Sequence, residues 1–384
     1  MTWKKVMKMM KHKLSEAKKV IIKLGSSIIT NDGKGIDEGC LENIVSQICK
    51  LNETMQVVLV SSGAIAAGLK KLGVKKRPKQ LFELQAAAAV GQMDLIQIYQ
   101  QLFSRKKVTS AQILLTHNDL SDRERYLNAR STLNNLLEKK IIPVINENDS
   151  IANEEIKFGD NDNLAALTAN LIEADFLVLL TDQAGLFSDD PRSNSQSILI
   201  NHAFVDDEKI DSLAHDTSSS LGSGGMRTKI LAARRAALSG AHTIIANGKE
   251  KNVIDKLVSN KISCTFLESR ESKLLARKNW LAGQLKAKGK VYIDQGAEDA
   301  IVKTGKSLLA IGVKKTNGEF ERGALVECCN LEGRLIAKGL VNYSSKELLK
   351  IMGNPSDKIG DLLGYVNENS LIHRNNLVIL QKGK

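Results

Sequence analysis

Residues 221–229 read LGSGGMRTK, with glycines at 222, 224 and 225 ahead of Lys229. Exposed backbone N–H groups and a fixed ammonium in one short loop suit phosphate oxygens. A second lysine, Lys23, lies inside VIIKLGSS, an otherwise apolar run that continues into Gly25, Ser26 and Ser27. A lysine on such a strand costs desolvation unless its ammonium emerges beside an anion. An edge strand whose lysine snorkels to solvent is the other reading. VSSGAIAAG (60–68) reads as a strand, a tight turn and an Ala-rich helix start. There Ser62 and the helix N-terminus either receive a carboxylate or phosphate, or the serine caps the helix.

INENDS (145–150) and GDNDN (159–163) gather Asn146, Glu147, Asn148, Asp149, Asp160, Asn161, Asp162 and Asn163 around one short excursion. The set offers carboxylates for an α-ammonium, amides for a carboxylate, and an aspartate able to orient two lysines. An Asx-rich turn explains one such group but not two in succession. In TDQAGLFSDDPR (181–192), Thr181 and Asp182 end a strand and lead into a turn suited to a nucleoside. The six histidines have no spacing for a metal cage or a catalytic triad. TGKS (304–307) imitates the end of a P-loop, yet Ala300 stands where its first glycine belongs. Residues 222–227 fail the dinucleotide fingerprint because Arg227 replaces its last glycine. Any ATP site must therefore be built another way.

The elements that would position these groups alternate. VIIKLG (20–25), VVLVSSG (57–63), IIPVIN (141–146), FLVLLTD (176–182) and HTIIANG (242–248) are apolar on both faces, as strands buried within a parallel sheet are. Helical patterns such as GCLENIVSQICKLNE (39–53) and RYLNARSTLNNLLEKK (125–140) separate them. This repetition predicts a doubly wound α/β domain over residues 20–265, with ligands beyond the carboxyl ends of the strands. A charged linker with a helical segment is expected at 266–287. Short strands punctuated by small residues predict a compact β-rich domain at 288–366, followed by a tail at 367–384.

Composition narrows the function classes. An apolar fraction of 42% with 26% charged residues is that of a soluble globular protein and excludes wholesale disorder. No apolar run approaches the ~20 residues that span a bilayer. The five cysteines form no CxxC pair, so a reducing, cytoplasmic setting fits. Of the net charge of +12, half resides in residues 1–19, which carry seven lysines against one glutamate. That opening segment lacks the apolar core of a signal peptide. It reads as a solvated, partly ordered tail, or as a basic Met-bearing helix that touches a membrane surface or acidic partner.

In order, VIIKLGSS, SSGAIAAG, LNAR, VINENDS, GDNDN, LLTDQAGLFSDDPRSN and LGSGGMRTK resemble the amino acid kinase family. The segment GKVYIDQGAEDAIV…CNLEGRLIAKGLVNYSS is similar to a PUA domain. The likeness spans about residues 20 to 370 and implies an αβα sandwich with a mainly parallel central sheet. It further implies ATP-dependent phosphorylation of the γ-carboxylate of L-glutamate, with Mg²⁺ carried chiefly on ATP. Lys23, Thr181, Asp182 and the loop Ser223, Gly224, Gly225, Met226, Arg227, Thr228 and Lys229 would contact ATP. Ser62, Asp149 and Asn161 would hold glutamate. Lys23 and Lys229 would act catalytically on the transferring phosphoryl, with Asp162 positioning both. Ser26 and Ser61 stand where threonine is often seen, which preserves the hydroxyls. Feedback inhibition by proline, a homo-oligomer (commonly a tetramer) and a partnership with glutamyl phosphate reductase are also implied. Relatives acting on aspartate, acetylglutamate, carbamate or UMP are the nearest alternatives. RNA binding through residues 288–366 is disfavoured by 12 basic against 10 acidic residues there.

Overall fold

The computed structural model describes residues 3–30, 35–152, 161–213, 225–270 and 287–380. Contacts divide the chain into two compact units, residues 1–121 with 128–276, and residues 122–127 with 277–384. In the first unit the order is α1 (Trp3–Ser15), β1 (Lys19–Leu24), α2 (Ser26–Ile29), α3 (Glu38–Leu51), β2 (Gln56–Val60), α4 (Ala64–Lys71), α5 (Leu81–Arg105) and β3 (Ser110–Leu115). There follow α6 (His117–Ser121), α7 (Arg123–Glu138, in this unit from residue 128), β4 (Ile142–Glu147), α8 (Asp162–Ile172), β5 (Phe176–Thr181), β6 (His202–Phe204) and α9 (Lys209–Ser212). The last elements are α10 (Met226–Ala237), β7 (His242–Asn247), α11 (Val253–Ser259) and β8 (Thr265–Glu268).

The eight strands form one sheet in the order β3-β4-β2-β1-β5-β7-β8-β6. Every neighbouring pair is parallel except β7 with β8. The five apolar runs read from the sequence are β1, β2, β4, β5 and β7, adjacent strands at the centre of the sheet. Central parallel strands are buried on both faces, which is why they lack an alternating pattern. On one face Val20, Ile22 and Leu24 of β1 and Phe176, Val178 and Leu180 of β5 pack beneath α1, α3 and α5. Pleating sends Ile21 and Lys23 to the opposite face, the one crossed by α8 and α10.

Two helices are locked by contacts that allow no side chain. A Cβ on Gly68 of α4 would lie 1.7 Å from the Ala87 carbonyl oxygen of α5, and one on Gly91 would lie 1.9 Å from that of Ala64. The crossing fixes α4, and with it the turn between β2 and α4, where Gly63 adopts φ 96°.

The structure differs from the sequence reading in three places. The opening segment, expected as a solvated tail, is helical from residue 3: α1 buries Val6, Met7, Met10 and Leu14 in the main core and leaves Lys5, Lys8 and Lys11 exposed. Full burial of such side chains is worth about 1.5–3 kcal/mol each, enough to dock the helix despite its charge. Strand β8 runs across the boundary drawn at 265/266. Residues 367–384 are not all tail either, because β13 (below) joins a sheet. The linker segment 271–286 lies outside the described residues.

In the second unit β9 (Gly289–Ile293), α12 (Gln295–Val302), β10 (Val313–Asn317), β11 (Leu325–Asn330), β12 (Leu335–Leu340), α13 (Ser345–Ile351), α14 (Ile359–Leu363) and β13 (Leu377–Ile379) follow in turn. Their sheet has the order β10-β9-β11-β12-β13, antiparallel except for β9 with β11. Val291, Ile293, Val326, Cys328, Val341, Tyr343 and Leu371 are among its core residues. β13 pairs with β12, with Leu377 opposite Gly339, so the chain beyond 366 completes this sheet.

Candidate active site

The carboxyl ends of β4, β2, β1 and β5 come level along one edge of the large sheet. Lys23 on β1 is in register with Val60 of β2 and Leu179 of β5. Just past the strands, Ser61 N–H donates to Ile145 O at 2.8 Å and Gly25 N–H to Leu180 O at 3.1 Å. Ser62, Gly25, Asn146 and Thr181 are thereby brought to a common edge, although up to 156 residues separate them in sequence.

At that edge stands a buried cluster of three charges. Asp162, the first residue of α8, is fully buried. Its Oδ1 lies 2.5 Å from Lys23 Nζ and its Oδ2 lies 3.0 Å from Lys229 Nζ. Both ammonium groups are nearly buried, with 5% and 8% of their side chains exposed. A lysine sealed from water needs a countercharge, and here one carboxylate serves two. Asp162 is also placed at a helix N-terminus, where the macrodipole favours a carboxylate.

α10 supplies Lys229 from its first turn, and the N-cap Gly225 gives this helix no side-chain cap. Thr228 Oγ1 donates to Gly225 O at 2.8 Å and approaches Asp162 Oδ2 at 3.4 Å, tying the turn to the cluster. Met226 packs with Leu186, Ile210 and Ile230, whereas Arg227 is exposed. Thr181 ends β5 and donates to Asp182 Oδ1 at 3.1 Å, and Asp182 lies 3.9 Å from Arg192. The N-termini of α2, at Gly25, and α4, at Gly63, also lack side-chain caps.

On the other side of Lys23 are Ser62, Asp149 and Asn161, all buried. Asn161 Nδ2 donates to Ser61 O and to Asn146 Oδ1, both at 2.6 Å. The structure thus brings Lys23, Asp162, Thr228 and Lys229 together, and joins Asn161 to the β2 turn that carries Ser62. Ser223 and Gly224, with Gly159 and Asp160, lie outside the described residues.

Gln92 and Tyr99 were missed by the sequence reading. Both belong to α5 and reach this edge through Asn146 Nδ2→Gln92 Oε1 at 2.7 Å and a 3.0 Å bond between the Ser61 and Tyr99 hydroxyls. In sequence they are ordinary polar positions in a long Ala-rich helix. Their spacing of seven, which puts them on one helix face, is the only signal they give.

An edge where two nearly buried lysines converge on one carboxylate, with helix N-termini beside it, is equipped for anionic groups. Profile comparison defines the class of protein: the amino acid kinase family matches residues 18–247 and the PUA domain matches residues 289–363. The chain belongs to the amino acid kinase family and is an enzyme, a phosphotransferase. It is 54% identical to the glutamate 5-kinase of Nitrosomonas eutropha over 368 residues, which cover 96% of this chain and 99% of that one. It is 51% identical to the glutamate 5-kinase of a Marinomonas species over 372 residues, 97% and 100% of the respective chains. Among solved structures, carbamate kinase from Giardia lamblia bound to AMP-PNP superposes with a TM-score of 0.48 at 15% identity, covering 66% of this chain and 99% of that one.

Proposed function

We propose that the chain transfers the γ-phosphoryl group of ATP to the γ-carboxylate of L-glutamate, giving γ-glutamyl phosphate and ADP. The observation that carries this reading is the Asp162 carboxylate holding Lys23 and Lys229 at once, between an amide- and carboxylate-rich side and a side with uncapped helix N-termini. At pH 7 the substrate carboxylate is already ionised, so no general base is needed. A carboxylate oxygen forms the new bond to Pγ while the bond from Pγ to the β-phosphate oxygen breaks, and ADP leaves with that electron pair. What the protein must add is alignment and neutralisation of charge.

Lys23 and Lys229 are assigned to the oxygens of the migrating group, and Asp162 to fixing their separation. Thr181, Asp182 and residues 223–229 are assigned to ATP; Ser62, Asp149 and Asn161 to glutamate. Among the described residues no three His, Cys, Asp or Glu side chains converge into a metal cage. Mg²⁺ would be carried chiefly on ATP and would supply neutralisation of phosphate charge.

The relatives' name extends the reading. The reaction opens proline formation, proline competes at the glutamate side, and the acyl phosphate passes to glutamyl phosphate reductase. The enzyme works in the cytoplasm as a homo-oligomer, a tetramer in the form most frequent in the family. Catalysis belongs to residues 20–265, and the PUA-like residues 288–366 are structural or regulatory. A hydroxamate assay with ATP and Mg²⁺ tests these points together. Glutamate should yield hydroxamate and ADP, proline should suppress both, and aspartate, acetylglutamate, carbamate and UMP should not substitute. No product with glutamate would overturn the reading.

A further inference from the structure

Ser61 is held from three directions. Its N–H donates to Ile145 O, its carbonyl accepts Asn161 Nδ2 at 2.6 Å, and its hydroxyl meets the hydroxyl of Tyr99 at 3.0 Å. Because Ser61 Oγ donates to Ser62 O at 3.2 Å, the phenol of Tyr99 is the donor between the two hydroxyls. Tyr99 is completely buried, and burial pushes its pKa up, so the phenol keeps that proton.

A second chain of bonds has a fixed sense. Gln92 Oε1 accepts from Asn146 Nδ2 at 2.7 Å, and Asn146 Oδ1 accepts from Asn161 Nδ2 at 2.6 Å. Both N–H groups of Asn161 are then committed, to Asn146 and to Ser61, so its amide cannot turn over without setting oxygen against oxygen. Asn161 Oδ1 is left buried with no hydrogen-bond donor among the described residues. A buried carbonyl in that state is costly until a ligand N–H reaches it.

We infer that Gln92 and Tyr99 are positioning residues for the amino-acid acceptor. Through Asn146 and Ser61 they hold the Ser61–Ser62 turn and aim the Asn161 carbonyl at the α-ammonium of the substrate. This rests on the glutamate reading above, and it assigns both residues to acceptor affinity rather than to phosphoryl transfer. Neither touches a substrate.

The test is steady-state kinetics on the full chain, varying glutamate and ATP separately, for Tyr99→Phe, Gln92→Leu and Gln92→Glu. Tyr99→Phe deletes one hydroxyl and keeps the ring beside Phe103. Tyr99→Phe and Gln92→Leu should raise KM for glutamate about 5- to 30-fold, leaving KM for ATP and kcat within about twofold. Gln92→Glu retains an acceptor for Asn146 and should stay within about twofold of the parent throughout. The inference is overturned if KM for glutamate holds in both, if KM for ATP rises equally, or if Gln92→Glu fails alongside Gln92→Leu. A parent enzyme without turnover of glutamate removes the glutamate reading and this inference with it. An active parent with indifferent variants removes the inference alone.

Discussion

Replacing Asp162 by Asn keeps the shape of the central carboxylate and deletes its charge. Two ion pairs of 2.5 and 3.0 Å are lost in a place where the carboxylate has no exposed surface. The amide oxygen can still accept from one ammonium, but the amide nitrogen must then face the other, donor against donor. Leaving buried charge without its partner costs about 3–5 kcal/mol. At roughly 2–4 °C per kcal/mol for a domain of this size, Tm should fall by about 6–20 °C. In catalysis, losing one preorganised electrostatic contact lowers kcat by about 10²–10³. Ground-state binding should move the other way, because an uncompensated ammonium attracts phosphate, so KM for ATP should not rise. A nonhydrolysable ATP analogue at about 100 times its Kd adds roughly 2.7 kcal/mol of stability. It should restore part of the lost Tm, and restore more in the variant than in the parent. Calorimetry with and without the analogue, beside an ADP-coupled rate assay, reads all of these quantities. A kcat within about fivefold of the parent, with Tm unmoved, would show that Asp162 does not organise the two lysines.

Lys229→Ala should lower kcat by about 10²–10³ with a modest change in KM for glutamate, measured by ADP release, since the proposed function assigns that ammonium to the migrating phosphoryl group. Gly68→Ala sets a methyl 1.7 Å from the Ala87 carbonyl oxygen; both partners are backbone, so a destabilisation of about 3 kcal/mol should appear in calorimetry as a Tm lower by about 6–12 °C. Glu268 reports on the docking of α1. Burial pushes its carboxyl upward, but His202 and Lys13, at 2.9 and 3.2 Å, prevail and hold it below the usual carboxylate range. A depressed carboxylate stabilises the fold above its unfolded pKa of about 4.3, and the contribution vanishes as pH falls through the lower folded value. Glu268→Gln should therefore lower Tm at pH 7, and the gap to the parent should close below pH 4; a gap independent of pH would refute this.

Much of the fold was legible because the central strands are sealed on both faces and written as unbroken apolar runs. β3 and β6 were not legible for the opposite reason. β3 lies at the sheet edge with exposed positions at Gln112 and Leu114, and β6 has three residues, none buried. α1 misled because lysines interrupt its apolar residues throughout, although Val6, Met7, Met10 and Leu14 share one face at helical spacing. At the site, residue types in glycine- and Asx-rich turns were visible. Their convergence was not, since Lys229 and Asp162 are 67 residues apart and only the strand order brings them to one place. Gln92 and Tyr99 were invisible because a side chain that acts through Asn146 or Ser61 leaves no motif of its own.

Strand order also gives this edge two distinct flanks. From β1 the chain moves outward to β2 and on to the edge strand β3, comes back to β4, then crosses to lay β5 on the far side of β1. The connection that leaves β1 and the one that leaves β5 run in opposite directions, opening a crevice beyond the carboxyl ends, as in other doubly wound sheets. Ser62 and Asp149 follow β2 and β4 on one flank, while Thr181 and Asp182 follow β5 on the other. Lys23, on the strand between them, occupies the boundary, and Asp162 joins it to Lys229 on a separate helix. A buried charge trio of this kind adds little to stability compared with apolar residues of similar volume. Its position at the switch point is what the proposed reaction would use: two ammonium groups, already desolvated and fixed by one carboxylate, on the line between the two flanks.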